Sequence, residues 1–76
     1  MPRYYFHIRH GDELIRDEEG TDLPDPAAAH AEALASARDL ALDEIRRHSR
    51  VDGRIIEIVS EFGDTIDSVA VRESVD

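Results

Sequence analysis

Over residues 3–9 apolar and polar side chains alternate, with Tyr4, Phe6 and Ile8 on one parity and Tyr5, His7 and Arg9 on the other. That period of two predicts a β-strand. The row Tyr4, Phe6, Ile8 is the more apolar and is expected to face the core, which puts His7 beside Tyr5 on the open face. Gly11 and Asp12 tolerate turn geometry, and Leu14 and Ile15 resume an extended pattern, so the opening reads as a β-hairpin. The acids, Gly20, Pro24 and Pro26 then make "DEEGTDLPDP" a connector.

Asp25 before Pro26 is a helix start, a carboxylate able to cap free N–H groups ahead of a proline whose missing N–H is not needed. From Ala27 to Arg50 no glycine or proline interrupts, and the helix is expected to end before Gly53. Arg47 four residues after Asp43 supports it, and Arg46, Arg47 and Arg50 complement the negative end of its dipole. At 100° per residue Ala27, Ala31, Leu34, Ala41 and Ile45 predict the buried stripe, flanked by Ala35, Ala37 and Leu42. Arg38 falls inside that stripe. Its stem is expected to cross the sheet with its head reaching water; the functional alternative is a bidentate clamp to Asp17 or to a partner's carboxylate.

"RIIEIVS" predicts a third strand, with Ile56 and Ile58 opposing Ile55, Glu57 and Val59, and "EFGDT" a turn around Gly63 before a fourth strand from Ile66 to Val71. The expected fold is therefore one α+β domain over residues 1–76, ββαββ, with a small, mainly antiparallel four-stranded sheet and one long helix on one face. A helix of about 24 residues is roughly 36 Å long, whereas a seven-residue strand covers about 23 Å, so the helix is expected to overhang. Leu40 lies away from the predicted stripe, and one helix does not cover all the apolar surface. A homodimer is the expected cover.

Charge narrows the function classes. Nine arginines against eighteen Asp and Glu leave a formal charge of −9, which repels phosphate backbones and anionic lipid, so neither nucleic acid nor membrane is an expected partner. A basic protein is. No cysteine is present, which excludes disulfide staples and thiolate zinc sites. With no signal pattern and no apolar run of roughly 20 residues, a cytoplasmic location is expected.

Candidate chemistry is sparse. His7 and His10 form H-x-x-H, but residues three apart in a strand point to opposite faces, so metal binding by His7, His10 and Asp17 would need a sharp turn before Gly11. Asp17, Glu18 and Glu19 lack the ligand spacing of a calcium loop and read as a solvated acidic turn. No serine sits in a nucleophile turn, and no glycine-rich phosphate loop is found. The expectation is a protein that is not an enzyme and takes no cofactor, with Tyr5, His7, Arg38 and Leu40 as interaction residues.

The residues Met1 to His7, Gly11, the connector from Asp17 to Pro24, and Ala37-Arg38-Asp39-Leu40 carry a resemblance. With its MPRYYFH opening, D-x-E-G-x-x-L-P connector and A-R-[DE]-L helix segment, the chain resembles a family of short bacterial proteins classed as a domain of unknown function. Beyond Val51 the likeness keeps only the I-x-I strand, Ile56 and Ile58, and a glycine turn. The resemblance implies the fold boundaries and no activity. In its "YYF" strand, "LPD" stretch and helix rich in alanine, glutamate and arginine, the chain is also similar to small antitoxin-type proteins, which bind a toxin through an acidic sheet-and-helix module. It departs from them in having no P-G-C-like turn. The leading expectation is a small acidic non-catalytic interaction module, homodimeric, with a metal- or small-ligand-binding protein and an antitoxin-like protein as alternatives.

Overall fold

A computed structural model describes residues 1–48 and 53–72, with only the backbone described at His48. β1 (Arg3–His10) runs antiparallel to β4 (Ile55–Ser60) along one edge, pairing Phe6 with Ile58 and Ile8 with Ile56. Its other edge is shared by two short strands. β2 (Glu13–Ile15) returns from the Gly11-Asp12 turn and pairs with the end of β1, while β3 (Thr21–Asp22) pairs with Arg3 and Tyr4 at its start. β5 (Thr65–Ala70) lies outside β4, giving the order β2-β1-β4-β5. The fold is α+β as expected, but the sheet has five strands, not four. The connector supplies the fifth, because Thr21 and Asp22 come alongside the free edge of β1. The last strand also starts and stops one residue earlier than its apolar pattern indicates, with a register shift between Ile58 and Val59.

α1 (Pro26–His48) packs over β4 and β5. Asp25 caps it, its Oδ1 accepting the Ala28 N–H at 2.8 Å. The buried stripe is Ala29, Ala33, Ala37 and Ala41, against Ile56, Ile58, Val69 and Val71 and beside Tyr4. This corrects the sequence expectation by about a quarter turn of the helix. Ala27, Ala31 and Arg38 are exposed, Ile45 is 42% exposed, and Leu40, expected away from the core, packs against it, as does Leu34. The physical reason is proximity. An alanine face brings the helix axis close to strands that carry the large side chains, so the burial comes from isoleucine and valine of the sheet. Arg38 therefore crosses no sheet.

The charged group that does enter the core is Glu44. It is 5% exposed and accepts from Arg54 Nη2 at 2.7 Å, linking the last turns of α1 to the residue before β4, whose carbonyl in turn accepts the Val71 N–H. Nearer the start of α1, His30 Nδ1 meets Asp67 Oδ2 of β5 at 2.7 Å. That contact and the Ser68 N–H hold the Asp67 carboxyl below its ordinary value against a small opposing effect of burial.

Gly20 is where backbone freedom and close approach coincide. Its φ is +74°, and a Cβ there would stand 2.8 Å from Arg3 Cγ and 2.9 Å from Tyr5 Cε1. Gly11 has φ +62° with open space around it. Both Gly→Ala changes are expected to cost the left-handed penalty of about 1–2 kcal/mol, but Gly20→Ala should lower the melting temperature further, because Tyr5 and the Arg3 stem must also move. Equal thermal melts for the two variants would contradict the tight seat at Gly20. For the buried pair, Arg54→Met strands the Glu44 carboxylate and should cost about 2 kcal/mol, less than a fully buried pair because Arg54 is partly exposed. Adding Glu44→Leu should restore most of the loss, measured by urea unfolding of both variants.

Candidate functional site

α1 occupies one side of the sheet, and on the other Tyr5, His7 and Arg9 of β1 stand beside Glu57 and Val59 of β4. The connector folds over this outer face, so that with Leu14, Arg16, Asp17 and Glu18 these residues line an open depression. The Tyr5 and His7 rings lie 6.3 Å apart at 33°. Arg9 Nε donates to Glu57 Oε2 at 2.7 Å.

Asp17 is the hub of the face. β2 and β3 leave a gap along the edge of β1, and in that gap Asp17 Oδ2 accepts the Phe6 N–H at 3.1 Å. Its Oδ1 accepts the Gly20 and Glu19 N–H groups at 3.1 and 3.3 Å. The Asp17 N–H itself donates to His7 Nδ1 at 3.0 Å. A backbone N–H can only donate, so Nδ1 is the acceptor and the neutral ring carries its proton on Nε2. Burial pushes the Asp17 acid upward, but the three N–H donors from Phe6, Gly20 and Glu19, with His7 nearby, outweigh it and hold the carboxyl below its ordinary value of 3.8. The "DEEG" turn is thus a brace for the sheet edge, with Glu18 and Glu19 exposed.

His10 falls on the opposite parity from His7 in β1, on the side of the sheet that faces α1, so H-x-x-H does not converge. Among the described residues no group of three or more His, Asp or Glu is arranged to hold a metal ion. No described helix is long and apolar enough to cross a membrane. Asp17 gives its oxygens to backbone donors, and no Asp17–Arg38 contact is formed.

The four expected interaction residues divide. Tyr5 and His7 share the outer face, Arg38 is exposed on the helix, and Leu40 lies on the inner side, where the helix leaves the sheet half covered. Because α1 lies mainly over β4 and β5, Tyr4 and Phe6 of β1 pack against the helix cluster while Ile15 of β2, on the same face, stays exposed. Phe6, Ile8 and Ile56 floor the resulting slot, with Ser36, Asp39 and Leu40 of α1 forming one wall. Ile15, opposite Ile8 in the register, carries the apolar surface to β2 and is 56% exposed. Sequence periodicity missed the slot because it depends on where the helix axis sits. The Asp17 brace had a signal in D-x-x-G, an acid three residues before a glycine, the spacing of an Asx-type turn.

Fold and surfaces together define a small α+β protein in which, among the described residues, one α-helix packs mainly over β4 and β5 of the sheet. The model of the protein family described as Domain of unknown function (DUF6894) matches residues 3–72, and the chain belongs to that family. Comparison with curated proteins gives no match, and neither does comparison with solved structures.

Asp17→Asn tests the brace. The amide keeps one acceptor oxygen but turns an NH₂ toward an N–H donor, so a loss of about 2 kcal/mol near neutral pH is expected in denaturant unfolding. The folded-state pKa of Asp17 is depressed, so its stabilisation is present above the ordinary value of 3.8 and is lost as pH falls through the lower folded value. The gap between wild type and variant should therefore narrow in acid. A gap that stays constant from pH 7 to pH 3 would contradict the assignment.

Proposed function

We propose that this protein is a small, acidic, non-catalytic interaction module and that its docking surface is the slot beside α1, which receives a helix of another protein. The observation that carries the reading is the half-covered inner face: Phe6, Ile8 and Leu40 border the slot, and Ile15 at its margin is 56% exposed. Neighbouring strands are about 4.8 Å apart and a helix with side chains is about 10 Å wide, so the half-covered width of β1 and β2 beside α1 suits one more helix. A sheet face buries its apolar row against a second layer, and the described residues contribute only part of that layer. The outer face supports the non-catalytic part of the reading. His7 Nδ1 and both Asp17 oxygens are engaged with backbone N–H groups, which leaves neither positioned as a free base at those atoms.

The test uses a synthetic 16-residue amphipathic helical peptide with an alanine and leucine stripe, titrated into ¹⁵N-labelled protein. Saturable amide shifts clustered at Phe6, Ile8, Ile15 and Leu40 are expected. Ile15→Asp, at an exposed position, should weaken binding at least tenfold without altering the circular dichroism, and Leu40→Asp should do the same if it folds. Shifts scattered over the outer face, or none, would overturn the reading. So would a dimer in analytical ultracentrifugation that Ile15→Asp dissolves, since a second copy would then cover the slot.

A further inference from the structure

We infer that the helix received by the slot is basic, with an apolar stripe flanked on both sides by Lys or Arg; this rests on the slot being the docking surface proposed above. The slot is acidic on both rims. On the helix side Asp39 stands beside Leu40 in the wall. On the sheet side Glu13 is opposite His10 in β2, and by strand alternation it shares the face of Ile8 and Ile15. Both carboxylates are exposed, and neither has an ion-pair partner among the described residues. Other charges are already matched: Asp43 with Arg47, Glu57 with Arg9, and Asp22 with Arg3. Arg38 lies on the other shoulder of α1, about 160° around the helix from Leu40, and so does not neutralise the slot.

Charge complementarity also separates a foreign helix from a second copy. The whole chain carries −9, so two copies meet with like charge, and α1 itself would bring Asp39 and Asp43 to the rims of its partner. A stripe of apolar residues at i, i+3 or i+4 and i+7 fits the surface of Phe6, Ile8 and Ile15, while cations on either flank meet Asp39 and Glu13. His10 shares this row of β1, directly opposite Glu13.

Three peptides with one apolar stripe test the inference, with Lys and Arg, Ser and Gln, or Glu on the flanks, together with a basic peptide of scrambled order. Each is titrated into the full chain at 50 and 300 mM salt, and binding is read from amide shifts in the slot. The basic amphipathic peptide should bind at least tenfold more tightly than the neutral one and lose about tenfold between the two salt concentrations. The Glu13→Lys and Asp39→Lys variants should each reduce its affinity and improve that of the acidic peptide. Equal affinities for the three stripes, with Ile15→Asp still abolishing binding, would overturn the basic partner and leave the docking slot standing. Equal binding of the scrambled peptide would reduce the effect to net charge and overturn the inference. Absence of slot shifts with every peptide would overturn both proposals.

Discussion

Ala29, Ala33, Ala37 and Ala41 let the axis of α1 approach β4 and β5 closely, and the remaining surfaces are arranged around that contact. Small side chains on the helix meet large ones on the sheet, so Ile56, Ile58 and Val71 are fully buried against a helix face whose buried apolar residues are all alanines. Close approach has a lateral consequence. A helix seated this tightly over β4 and β5 does not reach across to β2, and Phe6, Ile8 and Ile15 are left along its side. It also fixes which charged residue of α1 meets the core. Glu44 follows Ala37 and Ala41 at helical spacing and arrives against Arg54, whereas Arg38 turns out to solvent.

The free edge of β1 presents a different problem with a polar solution. Two short strands pair its ends, and between them the Phe6 N–H would face a gap. The Asp17 carboxylate closes it and gathers the Glu19 and Gly20 N–H groups into the same acceptor. Gly20 then lies against Arg3 and Tyr5, and Arg3 reaches over to Asp22 and to the Glu19 carbonyl. An acidic, glycine-containing connector thereby becomes part of the sheet, and the outer face acquires its shape from backbone satisfaction.

These two devices give the faces of the molecule different characters. Polar groups of the outer face are largely engaged with one another, through Arg9 with Glu57 and His7 with Asp17. The inner slot is the reverse, an apolar floor whose rim carboxylates have no internal counter-ion among the described residues. Exposed Leu42 and Ile45 on α1, at 53% and 42%, lie outside the slot as separate apolar positions.

What the sequence determined by itself is local. Alternation marked β1 and β4, the Asp25-Pro26 pair started the helix at its observed residue, and glycine placed the turns at Gly11 and Gly63, where φ is positive. It also determined which row of β1 faces inward, because Tyr4, Phe6 and Ile8 differ enough from Tyr5, His7 and Arg9 in apolar area. The helix face was misread for a related reason: a stripe judged by apolar bulk favours Leu34 and Ile45 over four alanines. Only the tertiary structure decided that the alanines face the sheet, because their advantage is the distance they allow between axis and strands, a quantity that belongs to two elements at once. The slot, the Glu44–Arg54 pair and the Asp17 brace depend on the same kind of information, the placement of one element against another distant in sequence.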